Sequence, residues 1–434
     1  MNRIILIGNG FDLAHGLKTS YKNFIDRFWE SEKEEFLNKD NWTFFTETKF
    51  SKELDGGSIS SSTIRNSYVY KDDFISSYVD ETSFEGTKPS GIPVHKIKEN
   101  ILNLFLKTIE KKLNIQNWVD IEEEYYRLLK KFAENNQLKQ VEKLNLELKH
   151  IRQKLENYLS EIQKEVISTN KDLFYQIYSP LHIEDFTEQS IPILRETYRN
   201  LCSAEKQQEF DKIFDWILEN DIKHCTRKDY DDYVSGINGI GLFPEKVWFL
   251  NFNYTDTEKH YQHLTNGETL NTKFHVYHIS DSWGKMCASR KNIHIHGELN
   301  NLQNPIIFGY GDELDEDYKK IEKLNDNNYL ENIKSIKYLE TDNYRNILNF
   351  INTDNYQVFV MGHSCGNSDR TLLNTLFEHN NCVSIKVFYH KKSDGTDNYS
   401  DMIRNISRNF NNKAKMREKV VNKIYCEPLS QTIC

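Results

Sequence analysis

Two histidines in H-I-H-G, at 294–297, and an asparagine in N-F-N-Y-T-D-T-E, at 251–258, are the residues of this sequence best suited to chemistry. Imidazole exchanges protons near neutral pH, and the glycine after His296 lets a ligand come close. On a strand, His294 and His296 project from one face, so His294 is expected to orient His296 from beside it. Asn253 closes an apolar run and carries both a donor and an acceptor, which suits it to hold a ribose hydroxyl or aim a water. Its blander role is a turn cap. The histidine pair could also bind a metal, but no third ligand stands at metal-site spacing, so no metal is expected.

Two glycine turns bracket these residues. The first, G-N-G-F-D, follows the apolar run I-I-L-I. Gly8, Asn9, Gly10, Phe11 and Asp12 then form a strand-to-helix turn of the kind that brings backbone N–H groups to a phosphate. Leu13 stands where the full dinucleotide fingerprint has its third glycine, so a tight turn with Asp12 as a cap is the competing reading. The second turn, G-H-S-C-G-N-S-D at 362–369, matches the G-x-S-x-G nucleophile elbow. A serine hydrolase built on Ser364 needs a later acid and a later histidine, and only His379 and His390 follow. Otherwise Gly362, His363, Ser364 and Asp369 make a second phosphate or ribose turn.

Apolar runs with polar ends predict strands at 3–7, 246–254, 292–297, 305–311, 356–364 and 383–390. Helical stretches such as 369–380 alternate with the late ones, the pattern of buried strands in a mainly parallel sheet. Tyr21 to Phe36 is expected to be helical, with Phe24, Ile25, Phe28 and Trp29 on one side. Residues 93–235 read as mostly helical. Val141, Leu144, Leu148, Ile151, Leu155, Tyr158 and Ile162 repeat at steps of three and four. That seam serves either an internal helical bundle or self-association into a homo-oligomer.

The fold class is therefore α/β, a Rossmann-like, mainly parallel sheet split by a largely helical insertion. Residues 1–39 and 240–434 form the nucleotide-binding domain. Residues 40–239 form the insertion, beginning with a loop-rich stretch at 40–92 that is not assigned further.

The 434 residues are 38% hydrophobic, 13% aromatic and 28% charged, enough apolar mass for a real core under a wet surface. A net charge of −9 gives no general attraction to a polyanion, so nucleic acid is not the expected partner. The first apolar run is cut short by glycine and Asp12, so neither a secretory leader nor a membrane span is read there, and a cytoplasmic protein is expected. Seven scattered cysteines without a C-x-x-C pair argue against a disulfide framework and a zinc ribbon.

G-N-G-F-D-L-A-H-G-L at 8–17, W-V-D-I-E at 118–122, N-Y-T at 253–255, H-I-H-G-E-L-N and I-I-F-G-Y-G-D between 294 and 312, and G-H-S-C-G-N-S-D at 362–369 together resemble the AbiH family of bacterial phage-abortive-infection proteins. The same landmarks are similar to a distant sirtuin-like nucleotide-binding domain. Gly8, Gly10, Gly16 and Leu17 fall in register with its opening glycine motif, Asn253 with its strand-end asparagine, His296 with its H-G base, and Gly362 and Ser364 with its late G-x-S turn. Asp12 departs from the serine that sirtuins carry there. The resemblance implies an anti-phage effector that binds NAD or a related nucleotide and hydrolyses its glycosidic bond, with Asn253 and His296 catalytic and no zinc. It also implies a phage-derived trigger. Asp12, Asp120 and Glu122 are candidates to stabilise a cation-like ribose. The rival readings are a non-catalytic nucleotide sensor and the Ser364 hydrolase.

Overall fold

The computed structural model describes residues 1–28, 120–165, 167–179, 181–200, 204–219, 244–261 and 289–431, with short pieces between them. Trp118, Val119, residues 29–36 of the expected first helix and almost all of 40–92 lie outside the described residues.

Five strands form one parallel sheet: β1 (Asn2–Ile7), β2 (Lys246–Asn251), β3 (Ser289–His294), β4 (Tyr356–Met361) and β5 (Cys382–Phe388). Their order is β3-β2-β1-β4-β5, and every pairing is parallel. This is the doubly wound Rossmann order, which reverses direction between β1 and β4 and opens a crevice at the strands' carboxyl ends. β1, β2, β4 and β5 are largely apolar because both faces are covered, whereas β3, at one edge of the sheet, is polar up to Ile293. Ile4, Leu6, Val358 and Val360 pack with α7 (Asn343–Ile351) and α8 (Arg370–Glu378) on one face. Ile5, Ile7, Val247 and Phe249 pack with α1 (Asn9–Ala14) and α4 (Lys171–Ile177) on the other.

The chain divides into two compact units. The unit carrying the sheet is residues 1–17, 160–315 and 333–434, and the other is 18–159 and 316–332. The described part of 160–239 thus travels with the sheet, including α5 (Ile191–Arg199) and α6 (Ala204–Glu219).

In the second unit, α2 (Ile121–Glu134) and the greater part of α3 (Leu138–Ile162) are joined by a hydrogen bond from the Tyr125 hydroxyl to Asn145 at 2.7 Å. Every residue of the α3 seam is buried within the chain itself, so the periodicity serves internal packing. The segment 305–311, expected as a strand, is not one. It makes an isolated bridge between Tyr310 and Ile333 and hydrogen-bonds to the site loops instead, Ile307 N–H to His296 O at 2.8 Å and Gly311 N–H to Ser368 O at 2.9 Å. Ile307 and Phe308 are buried, Ile307 in the same core as the strand residues Ile4 and Leu250, and composition alone cannot tell a segment packed on a sheet from a strand within it. Among the described residues no helix is long and apolar enough to cross a membrane.

Candidate functional site

The two glycine turns meet at the point where the strand order reverses. Gly362 has φ +80°, and a Cβ there would lie 2.1 Å from Phe11 N. A Cβ on Gly8 would fall 2.5 Å from His363 Cα, so the backbones touch and no side chain fits between them. Gly10 N–H donates to Gly362 O at 2.9 Å, Gly8 N–H to Met361 O at 3.4 Å and Phe11 N–H to Gly8 O at 2.8 Å. The Phe11 ring is buried against His15 and Tyr261. What the opening turn holds first is therefore the second turn. Asn9 and Ser364 are the exposed side chains along the pair.

Asp12 follows on α1 and is 1% exposed. Its Oδ2 accepts the Thr255 hydroxyl at 2.5 Å, while its Oδ1 is buried with no hydrogen-bond partner. Burial, reinforced by the charge of Glu258, pushes the Asp12 carboxyl up to about 6, against the pull of Thr255, Thr257 and Asn253. Asn253 stands just past β2. Its amide N–H donates to Asn251 Oδ1 at 2.8 Å, and its side-chain Nδ2 is buried without a partner.

His294, at the end of β3, does not orient His296. Its Nε2 lies 3.2 Å from Glu258 Oε1 and its Nδ1 3.3 Å from Asn253 O. Both neighbours can only accept, so both ring nitrogens carry protons and His294 is an imidazolium. Burial works against that charge, but the hydrogen bond and charge of Glu258 outweigh it and raise the His294 pKa. Glu258 is fully buried and also accepts Asn251 and Asn292.

The expectation of one shared face fails because β3 ends at His294, and residues 295–296 turn. His296 therefore joins Phe252 and Tyr338, whose side chains belong to the opposite core. Its Nε2 lies 3.0 Å from Asp369 Oδ1 and 3.1 Å from the Tyr338 hydroxyl. Burial and the nearby Lys334 ammonium lower the His296 pKa to about 4, against Asp369, so the ring is neutral near pH 7. The carboxylate accepts from Nε2–H, which leaves the lone pair on Nδ1, and Nδ1 has no hydrogen bond among the described residues.

Asp369 is full. Its Oδ1 also receives the Lys334 ammonium at 2.8 Å, and its Oδ2 lies 3.4 Å from His363 Nε2. Burial opposes its charge, but Lys334 and His296 hold the carboxyl well below the usual carboxylate range. His363 Nδ1 accepts the Cys365 N–H at 3.0 Å, so its proton sits on Nε2, toward Asp369. The F-G-Y-G-D segment docks on the same loop through Gly311 and an Asp312–Arg370 ion pair at 3.2 Å.

Ser364 is not built as a nucleophile. Positive φ falls on Gly362 and Cys365, its neighbour His363 is committed to Asp369 and the Cys365 amide, and the Ser364 hydroxyl has no hydrogen bond among the described residues. Among the described residues, no base is hydrogen-bonded to Ser364. Burial pushes the Cys365 thiol up, away from reactivity. Asp120 caps α2 through Glu123 N–H at 3.0 Å, and it lies with buried Glu122 in the other compact unit.

Residues 4–391 match the family described as Bacteriophage abortive infection AbiH. The chain belongs to the AbiH family. Phage abortive infection is accordingly the role to which this AbiH protein is assigned, and antiviral defence its context. No curated protein and no solved structure matches the chain. Two members of the AbiH site escaped the sequence reading. Glu258 ends the same N-F-N-Y-T-D-T-E stretch that singled out Asn253, and pairing it with His294 needed the fold. Lys334 is 0% exposed in N-I-K-S-I-K, a cation among isoleucines, and that apolar setting was the signal available.

Proposed function

We propose that this AbiH protein is an abortive-infection effector that hydrolyses NAD or a related nucleotide at the bond between base and ribose. One observation carries the reading. Among the described residues, neighbouring strand ends at the crevice present Asn253 with a buried amide that makes no close hydrogen bond and His296 with one nitrogen tied to Asp369 and no hydrogen bond on the other. Groups left unpaired in this way are the ones a ligand satisfies. The likeness of both residues to the asparagine and H-G histidine of sirtuin-like domains supports the same assignment.

In this mechanism the nucleotide lies across the paired glycine turns, with Asn9 and Ser364 at hand for its phosphates. Asn253 holds the attacking water. His296 offers the Nδ1 lone pair to a ribose hydroxyl, and Asp369 fixes the ring. Loss of the base leaves a cation-like sugar, which the buried carboxylates stabilise.

Incubation of purified protein with NAD, with nicotinamide measured over time, tests this. Wild type is expected to release nicotinamide, and His296→Ala and Asn253→Ala to lose about 10²–10⁴-fold. NAD that raises the melting temperature without product assigns a sensor instead. Neither product nor a shift in melting temperature removes NAD as the ligand.

A further inference from the structure

Hydrolysis needs somewhere for the water's proton to go, and a neutral His296 already low in basicity is a poor place to store it near pH 7. His294 is an imidazolium bound to Glu258 and Asn253, and Asp369 is saturated by Lys334 and two histidines. That leaves the carboxyl on α1. We propose that Asp12 is a catalytic residue of this site, the general base for the water that Asn253 holds. The proposal rests on the nucleotide-hydrolysing reading above and deepens it.

Geometry carries it. Thr255 fixes Oδ2 of Asp12, so the carboxyl cannot turn freely, and the other oxygen is buried without a close donor among the described residues, the Thr257 and Asn253 side chains standing off it on the side that favours its charge. Asn253 turns its side chain toward this carboxyl, and its buried Nδ2 makes no close hydrogen bond among the described residues. A carboxylate oxygen asks for a donor and an amide N–H for an acceptor, and a single water is both. Asn253 is itself held at both backbone ends, by Asn251 Oδ1 at 2.8 Å and by His294 at 3.3 Å. Among the described residues, Glu258 is the charged group acting on Asp12, with Thr255, Thr257 and Asn253 as its polar neighbours. A carboxyl half-protonated near pH 6 suits a base that must ionise, take a proton and release it again.

The step balances without a second acid. One O–H bond of the water breaks and its proton passes to Asp12 Oδ1. The water oxygen bonds to the anomeric carbon as the carbon–nitrogen bond breaks, and that electron pair returns to the ring nitrogen. A pyridinium base then leaves neutral, and Asp12 gives its proton to solvent. Purine or pyrimidine nucleosides need their leaving base protonated, and the cations His294 and Lys334 are bound to Glu258 and Asp369. The substrate class is therefore a nucleotide whose base is already cationic.

The test uses the full chain, with nicotinamide release from NAD followed from pH 5 to 8.5 and melting temperatures measured alongside. Wild type is expected to lose rate about tenfold per pH unit well below pH 6 and to level off above it. Asp12→Asn, close to isosteric, is expected to lose about 10²–10³-fold with no fall in melting temperature. Thr255→Val removes a hydrogen bond that favours the ionised carboxyl and should move the acid limb to higher pH, a shift that mere loss of packing would not produce. Release by Asp12→Asn within threefold of wild type, or an acid limb unmoved in Thr255→Val, overturns the role of Asp12 alone. Wild type that releases no nicotinamide overturns the hydrolytic reading, and this proposal falls with it.

Discussion

His294 and His296 are two residues apart and each meets a buried carboxylate, yet one is charged and the other neutral. Around His294 the carboxylate Glu258 faces amides and one imidazole, so the cation it needs is the histidine itself. Around His296 the carboxylate Asp369 already has a buried ammonium at 2.8 Å. A second positive charge on the ring would have to be desolvated beside Lys334, and burial makes that costly. The protonation of a buried histidine is thus set by whether its carboxylate is already neutralised, not by the presence of the carboxylate.

Lys334→Met is the substitution expected to break this contrast most severely. It leaves Asp369 charged and buried with histidines alone, and loss of one member of such a pair costs about 4 kcal/mol. His296 should then take up a proton and resemble His294. Histidine ring titration by NMR reads the rise in its pKa, and denaturant unfolding reads the loss of stability. Glu258→Gln attacks the other side and is expected to cost about 3 kcal/mol, because an amide cannot accept from Asn251, Asn292 and His294 at once. The His294 pKa should fall below the usual imidazole value, leaving both rings neutral.

The sequence made the scaffold legible and the charge pattern illegible, for physical reasons. Strands β1, β2, β4 and β5 are long apolar runs because a doubly covered parallel sheet requires them, and such runs are visible one at a time. Residues 305–311 show the limit, since Ile307 and Phe308 are buried like strand residues, Ile307 in the same core, yet the segment is not a strand. The sequence links His296 to a strand end, but the face it uses depends on a strand ending three residues earlier than the apolar pattern does. Lys334 and Asp369 are 35 residues apart and Glu258 and His294 are 36 apart, so neither pair leaves a local spacing to read.

Lowering the pH from 7 to 5 sharpens the contrast through opposite signs. His296 has a folded pKa depressed to about 4, so its contribution is full above the unfolded value near 6.5 and is lost as pH falls. That loss is about 2 kcal/mol over this interval. His294 has a raised folded pKa, so its contribution grows as pH falls below that value and is lost as pH rises through it. Asp12, raised to about 6, stabilises by about 1 kcal/mol over the same descent and partly masks His296 in wild type. The informative quantity is therefore the difference from a variant. The advantage of wild type over His296→Gln should shrink from pH 7 to pH 5, while its advantage over His294→Gln should widen. Urea midpoints at the two pH values decide this, and equal trends in the two variants would mean that the rings are in the same state.

The smallest effect is expected at Tyr338. Its hydroxyl lies 3.1 Å from His296 Nε2, the same nitrogen that donates to Asp369 at 3.0 Å. One N–H cannot serve both equally, and the ionised acceptor takes the greater share. The ring itself stacks parallel to His296, with centroids 6.1 Å apart, and is buried in the core. Tyr338→Phe keeps the stacking and removes only the weaker hydrogen bond, so a cost of about 1 kcal/mol and a near-normal His296 titration are expected. A large rise in the His296 pKa in this variant would show that the hydroxyl, and not Lys334, keeps the ring neutral, and the account of why the two histidines differ would have to be rebuilt around Tyr338.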